Sequence, residues 1–311
     1  MRIVFFGSAP IGFPVLDALL ANSQDEVVAV VTQPDRPAGR QMRLTPCPIK
    51  AFSQQKRGLN VLSPEKIGEI QEELSALRAD LFVVVAYGQY LPRSVLALPK
   101  YGAINLHPSL LPKYRGSSPI QWAVANGDTV TGVTILYVSE KMDAGDILLQ
   151  KEVPIGSEDT SVTLESVLAE AGAQLMTEAV EQIRRGTVSS RPQDETAMIQ
   201  VRKLVKEDGV IDWTLPAEIL RNRIRGFLPW PGCFCKVPVD AGLQRLKILR
   251  AAVEPGCGLP GEVLDTAGEG PLVATGKDAL RLLEVQPSGK RVMDGASWLR
   301  GRPLSRGTRL A

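Results

Sequence analysis

Apolar residues in the first half of the chain fall into short continuous runs, each closed by turn-forming residues. Residues 3–6, 27–32, 81–86, 103–106 and 133–138 are rich in Val, Ile and Phe and show little polar alternation. Runs of that length and texture read as strands buried on both faces, as in a parallel sheet. Between them, residues 14–21, 64–77 and 119–126 have helical composition, with proline at or near the start. Strand–helix alternation predicts right-handed crossovers and a doubly wound, Rossmann-like parallel sheet. Ligands of such sheets bind beyond the carboxyl ends of the strands.

Residues 163–185 read as a long amphipathic helix. The polar, strand-poor stretch 186–196 then marks the start of a linker. From Ile211 onward the texture changes to strand-like runs at 247–253, 261–264, 272–274 and 280–285, separated by Pro- and Gly-rich turns. That pattern predicts a small β-barrel. The expected organisation is a first domain over 1–188, a linker over 189–206 and a second domain over 207–311.

Composition narrows the class. A hydrophobic fraction of 44% and a charged fraction of 23% are those of a soluble globular protein. No apolar run approaches the ~18 residues of a membrane span. The sequence opens on a strand-like run without a charged–apolar–small leader. Four cysteines without a CxxC pair, and one histidine, do not make a usual zinc site. A cytoplasmic protein with no membrane partner and no metal is expected. Charge is uneven. Residues 1–204 carry 20 Lys and Arg against 22 Asp and Glu, a net of −2, whereas residues 205–311 carry 16 against 12, a net of +4. A basic second half suits an anionic partner.

The turn Gly7-Ser-Ala-Pro-Ile-Gly12 stands where a dinucleotide fingerprint would stand, but Ala9 occupies the place of the second glycine. A plain strand-to-helix turn is expected instead.

The only histidine, His107, lies two residues after Asn105 at the end of a predicted strand. A lone histidine is compatible with a core residue satisfied by backbone, whereas a metal ligand lacks partner histidines. Asn105 favours a third possibility. Residues i and i+2 of a strand point to one face, so an amide donor and an imidazole share a space. Acyl transfer to an amine needs that pair: one group stabilises the developing oxyanion and the other takes the nucleophile's proton. A carboxylate should accompany them, and spacing leaves Asp143 and Asp146 of Met142-Asp-Ala-Gly-Asp146 equally open.

These residues carry a resemblance. Asn105-Leu-His-Pro-Ser-Leu-Leu-Pro112 with Arg115-Gly116, followed by Met142-Asp-Ala-Gly-Asp146, resembles the active-site pattern of the 10-formyltetrahydrofolate-dependent formyltransferases. Residues 32–40, 84–88, 118–121, 211–213, 229–231 and 286–290 extend it over essentially the whole chain, towards the branch of that family directed at initiator methionyl-tRNA. Met142 and Ala144 replace the Leu and Thr of the usual family motif, and both carboxylates remain. The resemblance implies transfer of a formyl group from 10-formyltetrahydrofolate to the methionyl α-amino group, by direct amine attack without a covalent enzyme intermediate. It implies Asn105, His107 and Asp143 as catalytic residues. It also implies a folate pocket of Ser109, Leu110, Leu111 and Pro112, walled by Tyr87, Gly88, Gln89, Tyr90 and Leu91. The second domain becomes an OB-like barrel, and a monomer is expected. A nucleotide-linked amino sugar is the alternative acceptor.

Residues 36–57 hold six basic side chains and no acidic one, and the first part of this stretch reads as a loop. By the resemblance it contacts the tRNA acceptor arm, with Arg36, Arg40, Met42 and Arg43 as candidates. Lys206, Arg221, Arg225 and Lys290 are candidates in the second domain, Arg221 and Arg225 sharing one helical face. Such residues would hold phosphate rather than read bases.

Overall fold

In the computed structural model, which describes residues 1–39, 41–56, 58–239 and 242–311, the apolar runs of the first half become strands of one sheet. The first ten strands are Arg2–Gly7 (β1), Glu26–Val31 (β2), Arg36–Ala38 (β3), Arg43–Thr45 (β4), Val61–Leu62 (β5), Leu81–Val85 (β6), Ala103–His107 (β7), Arg115–Gly116 (β8), Val130–Tyr137 (β9) and Ile147–Pro154 (β10). Seven form a sheet in the order β10-β9-β7-β6-β1-β2-β5. The pairs β5–β2, β2–β1, β1–β6 and β6–β7 are parallel, as expected of buried Val- and Ile-rich runs. β9, expected as another parallel strand, runs antiparallel to β7, and β10 returns antiparallel to β9. β1 and β6 are buried almost throughout.

Helices Phe13–Ala21 (α1), Pro48–Gln54 (α2), Gln71–Ala76 (α3), Arg93–Leu96 (α4), Pro119–Ala125 (α5) and Ser161–Arg185 (α6) follow in chain order. Proline stands in the first turn of α1, α2 and α5, where its missing N–H has no intrahelical partner to lose. The helix expected at 64–77 is shorter, a 3-10 turn at Ile67–Ile70 leading into α3. Strand, 3-10 turn and helix succeed one another at residues 2–21, the plain turn expected there.

The chain folds into two compact units: Met1–Gly116, Val130–Pro154 and Glu165–Val201 make up one, and Ser117–Thr129, Ile155–Leu164 and Arg202–Ala311 the other. In the first, α6 lies on β7 closely enough that a Cβ on Gly172 would sit 2.3 Å from Leu106 Cδ1. In the stretch read as a linker, Gln200–Val201 (β11) pairs with β8 in parallel. A Cβ on Gly116, whose φ is +109°, would come within 2.2 Å of the Val201 carbonyl oxygen.

The second unit is built on antiparallel strands Cys233–Val239 (β12), Gly242–Glu254 (β13), Val263–Asp265 (β14), Leu272–Ala274 (β15), Ala279–Pro287 (β16) and Met293–Asp294 (β17). Helices Ala217–Gly226 (α7) and Gly295–Gly301 (α8) complete it. Trp213, Leu220, Ile224, Phe227, Leu246 and Ile248 lie at its apolar centre. All four cysteines are free; Cys233 and Cys235 are buried there, and burial pushes both thiols up to about 12. Among the described residues no helix is long and apolar enough to cross a membrane.

Candidate active site

The carboxyl end of β7 carries Asn105 and His107 on one face of the strand, as period-2 geometry requires. His107 is 4% exposed. Its Nε2 lies 2.9 Å from the Tyr114 carbonyl oxygen. A carbonyl only accepts, so that nitrogen donates and Nδ1 of the neutral ring is left with the lone pair. Nδ1 lies 3.6 Å from Asp143 Oδ1. The Asn105 amide, half-buried, makes no side-chain hydrogen bond among the described residues.

Spacing left two carboxylates open, and their positions separate them. Asp143 faces His107, and its Oδ2 accepts from the Gly116 backbone N–H at 2.8 Å. Asp146 is exposed and accepts from Ser190 Oγ at 3.3 Å. The turn holding Asp143 is tight, since a Cβ on Gly145 would sit 1.8 Å from the Tyr137 carbonyl oxygen. Asp143 (φ 51°), Tyr114 (φ 64°) and Ala86 (φ 46°) all adopt the left-handed region, which non-glycine residues enter at a cost. Tyr114 thereby turns its carbonyl to His107, and Asp143 its carboxylate.

The segment expected to line the folate pocket is locked from beneath. Ser109, fully buried, donates from Oγ to the Lys113 carbonyl at 2.6 Å. Thr134 Oγ1 donates to the Ser109 carbonyl at 2.6 Å and accepts from the Leu111 N–H at 3.2 Å. Leu111 packs with Leu136 and Ile147, while Leu110 covers Gly132 and Pro112 follows a cis peptide bond. On the neighbouring wall the Tyr87 ring belongs to the apolar core beside Phe6, 2% exposed. Its hydroxyl has no partner among the described residues, and burial pushes it up to about 12. Tyr87 reaches the loop through its carbonyl, which accepts from Ser8 Oγ and Gln33 Nε2. Gln89 braces Pro64 and Ile67, Leu91 is buried, and Gly88 and Tyr90 are exposed.

The basic candidates divide. β3 and β4 form a short hairpin where a loop was expected, with Met42 at its turn 67% exposed and Arg43 exposed on β4. Arg36 pairs with Glu65 at 2.9 Å, and Arg40 lies outside the described residues. Arg221 and Arg225 do share a face of α7, but both turn inwards on the second unit. Arg221 bonds Glu158 and the Ser157 carbonyl, and Arg225 bonds the Gly156 and Asp159 carbonyls and Asn222. Burial lowers the Arg225 guanidinium from its usual range. Lys206 opens onto a cavity of about 390 Å³ lined also by Trp230, Arg245 and Lys247. Among the described residues none of these three cations, nor Lys290, forms an ion pair with a carboxylate. Charge in the sequence pointed to Lys206; nothing in it placed Trp230, Arg245 or Lys247 beside that residue.

Known proteins resemble the chain over nearly its whole length. Residues 1–180 match the family model described as Formyl transferase, and residues 203–303 match Formyl transferase, C-terminal domain. A methionyl-tRNA formyltransferase of Chloroflexus aurantiacus is 44% identical over 306 residues, 97% of each chain. One of Bacillus licheniformis is 43% identical, covering 99% of this chain and 98% of its own. Among solved structures, an N-formyltransferase of Helicobacter canadensis in complex with folinic acid and dTDP-3-aminofucose is 17% identical. It superposes with a TM-score of 0.65 over 94% of this chain and all of its own. At full-length identities above 40%, the chain belongs to the methionyl-tRNA formyltransferase family.

Proposed function

We propose that this chain moves the formyl group of 10-formyltetrahydrofolate onto the α-amino group of methionine esterified to initiator tRNA. The observation that carries the chemistry is the convergence of Asn105, His107 and Asp143 at the carboxyl end of β7. The amine attacks the formyl carbon, and the bond from that carbon to the folate nitrogen breaks. His107 Nδ1, free of the Tyr114 bond, accepts the proton leaving the amine. The Asp143 carboxylate then stands 3.6 Å from the nitrogen that has become cationic and opposes its charge. Asn105, with its amide uncommitted, donates to the formyl oxygen as that oxygen gains negative charge. The nitrogen of tetrahydrofolate takes up a proton as it departs.

The buried, braced loop Ser109–Pro112 is the wall against which the folate rests, and the exposed Gly88 and Tyr90 belong to the segment that the family resemblance makes its neighbouring wall. A folate-derived donor agrees with the folinic acid bound by the Helicobacter canadensis enzyme. For the tRNA, the exposed cations Arg43, Lys206 and Lys290 supply phosphate contacts, and Met42 offers an apolar wedge at the hairpin turn. Arg221 and Arg225 serve the fold of their own unit.

The test is formyl transfer from 10-formyltetrahydrofolate to charged initiator methionyl-tRNA, with a nucleotide-linked amino sugar as competing acceptor and His107→Ala alongside. Transfer to the tRNA alone, lost in the variant, is expected. Transfer to the sugar alone would move the acceptor, and an active variant would remove His107 from the reaction.

A further inference from the structure

Three alternate side chains of the stretch 191–195 each reach a different part of the site. The backbone at Arg191 makes a two-way antiparallel bridge with Ile147, 2.8 and 2.9 Å, which sets this stretch extended beside the end of β10. Arg191 donates to the side-chain oxygen of Gln150. The Gln150 amide in turn donates to the Leu111 carbonyl at 2.8 Å and to Thr134 Oγ1 at 2.9 Å. Glu195 takes Arg115 in a bidentate pair, 2.7 and 3.1 Å, although Arg115 is only 7% exposed.

Gln193 stands between them and uses its whole amide. Its Nε2 donates to the Asp143 carbonyl at 2.7 Å and to the Gly145 carbonyl at 2.8 Å, while its Oε1 accepts from Arg115 Nε at 2.9 Å. We infer that Gln193 is a positioning residue for formyl transfer: it holds the left-handed Asp143 turn against Arg115–Gly116, so that the carboxylate meets His107. Two donors from one amide fix the carbonyls on both sides of Ala144. The bond to Arg115 ties the same amide to the residue beside Gly116, whose N–H holds Asp143 Oδ2. A left-handed aspartate persists only where its surroundings over-determine it, and this amide supplies that determination from outside the turn. No atom of Gln193 touches a reacting group in this arrangement; its effect passes through Asp143.

The inference rests on the proposed role of Asp143, so the experiment separates the two. Gln193→Met keeps the bulk of the side chain and removes all three bonds; Gln193→Ala is the second variant. Both are assayed for formyl transfer alone and combined with Asp143→Ala, and hydrogen exchange is followed in residues 142–147. The expected result is a loss in kcat of about 10- to 100-fold, the usual range for a residue that orients a catalytic group. KM for both substrates stays unchanged, and the melting temperature falls by only a few degrees with the three part-buried hydrogen bonds lost. Exchange in 142–147 quickens, and Asp143→Ala shows no further loss in kcat on addition of either Gln193 variant. Asp194→Ala, whose carboxylate among the described residues bonds Thr196 alone, keeps wild-type activity. A Gln193 loss that multiplies with the Asp143→Ala loss, or unchanged exchange in 142–147, would overturn the inference while leaving the site standing. Full activity of Asp143→Ala would instead overturn the role given to Asp143, and the inference with it. If the wild type formylates no tRNA, exchange in 142–147 still decides whether Gln193 holds the turn.

Discussion

Residues 105–116 and residues 191–195 converge on the same aspartate turn by opposite means. The first stretch brings the groups proposed to react, Asn105 and His107, together with the Tyr114 carbonyl that orients His107 and the Gly116 N–H that holds the Asp143 carboxylate. All lie within a dozen consecutive residues, because a strand and the loop after it suffice to gather them. The second brings no reacting group. It holds the turn and Arg115 through side chains that bond partners 50 and 80 residues away in sequence. Chemistry in this fold is encoded locally and its placement at long range, so the two regions should fail differently when altered.

The largest effects belong to the first region. His107→Ala should lower kcat by about 10²–10⁴-fold, the usual worth of a general base. Asn105→Ala should lower it by about 10²–10³-fold, as loss of an oxyanion donor does. Single-turnover formylation with both substrates saturating measures these losses apart from binding. A loss in Asn105→Ala confined to KM would assign that amide to substrate binding and not to the transition state.

The same contrast explains what was legible beforehand. Asn105 and His107 could be paired from the sequence because period 2 is a property of any strand. The first unit's parallel strands were legible from unbroken Val and Ile. The reversed direction of β9 was not, since an apolar strand buried on both faces reads alike in either sense. Arg221 and Arg225 were rightly set on one helical face, yet their partners lie in residues 156–159, and no count of charges distinguishes a bound guanidinium from a free one. Gln193 left no signal at all. It sits in a polar stretch with the composition of a linker, and only the folded chain shows that its amide is fully used.

Next in size come the Gln193 variants, and after them a pair of arginines that sharpens the distinction between held and free. Arg43, exposed on its hairpin strand, forms no ion pair among the described residues, whereas Arg221 is held by Glu158 and the Ser157 carbonyl. Arg43→Ala should weaken tRNA binding at every sequence and reduce the slope of log affinity against log salt by about 1. Arg221→Ala should leave that slope unchanged and lower the stability of its unit by about 1 kcal/mol or less, since Glu158 is largely exposed. Filter binding across a salt series and urea unfolding separate the two outcomes. A changed slope in Arg221→Ala would mean that its guanidinium leaves the internal contact for phosphate.

The smallest expected effect is a pH dependence of the long-range hold itself. The Glu195 carboxyl lies below its ordinary value near 4.5, chiefly because it accepts hydrogen bonds from Arg115. A group lowered in the folded state contributes its stabilisation above its unfolded value and loses it as pH falls through the lowered folded value. The Arg115–Glu195 pair is therefore at full strength at neutral pH and weakens only on acidification below about 4.5. The carboxylate is 67% exposed, so solvent screens the pair and the effect is modest. Hydrogen exchange across residues 193–197 should quicken as pH falls from 5 to 3, after correction for the intrinsic rate, and Glu195→Gln should show the acid behaviour already at pH 7. Exchange in residues 105–107 should not follow, because the backbone pairing of β7 with β6 and β9 that protects them involves no carboxylate. If both regions loosened together, the hold and the chemistry would be one cooperative element rather than two.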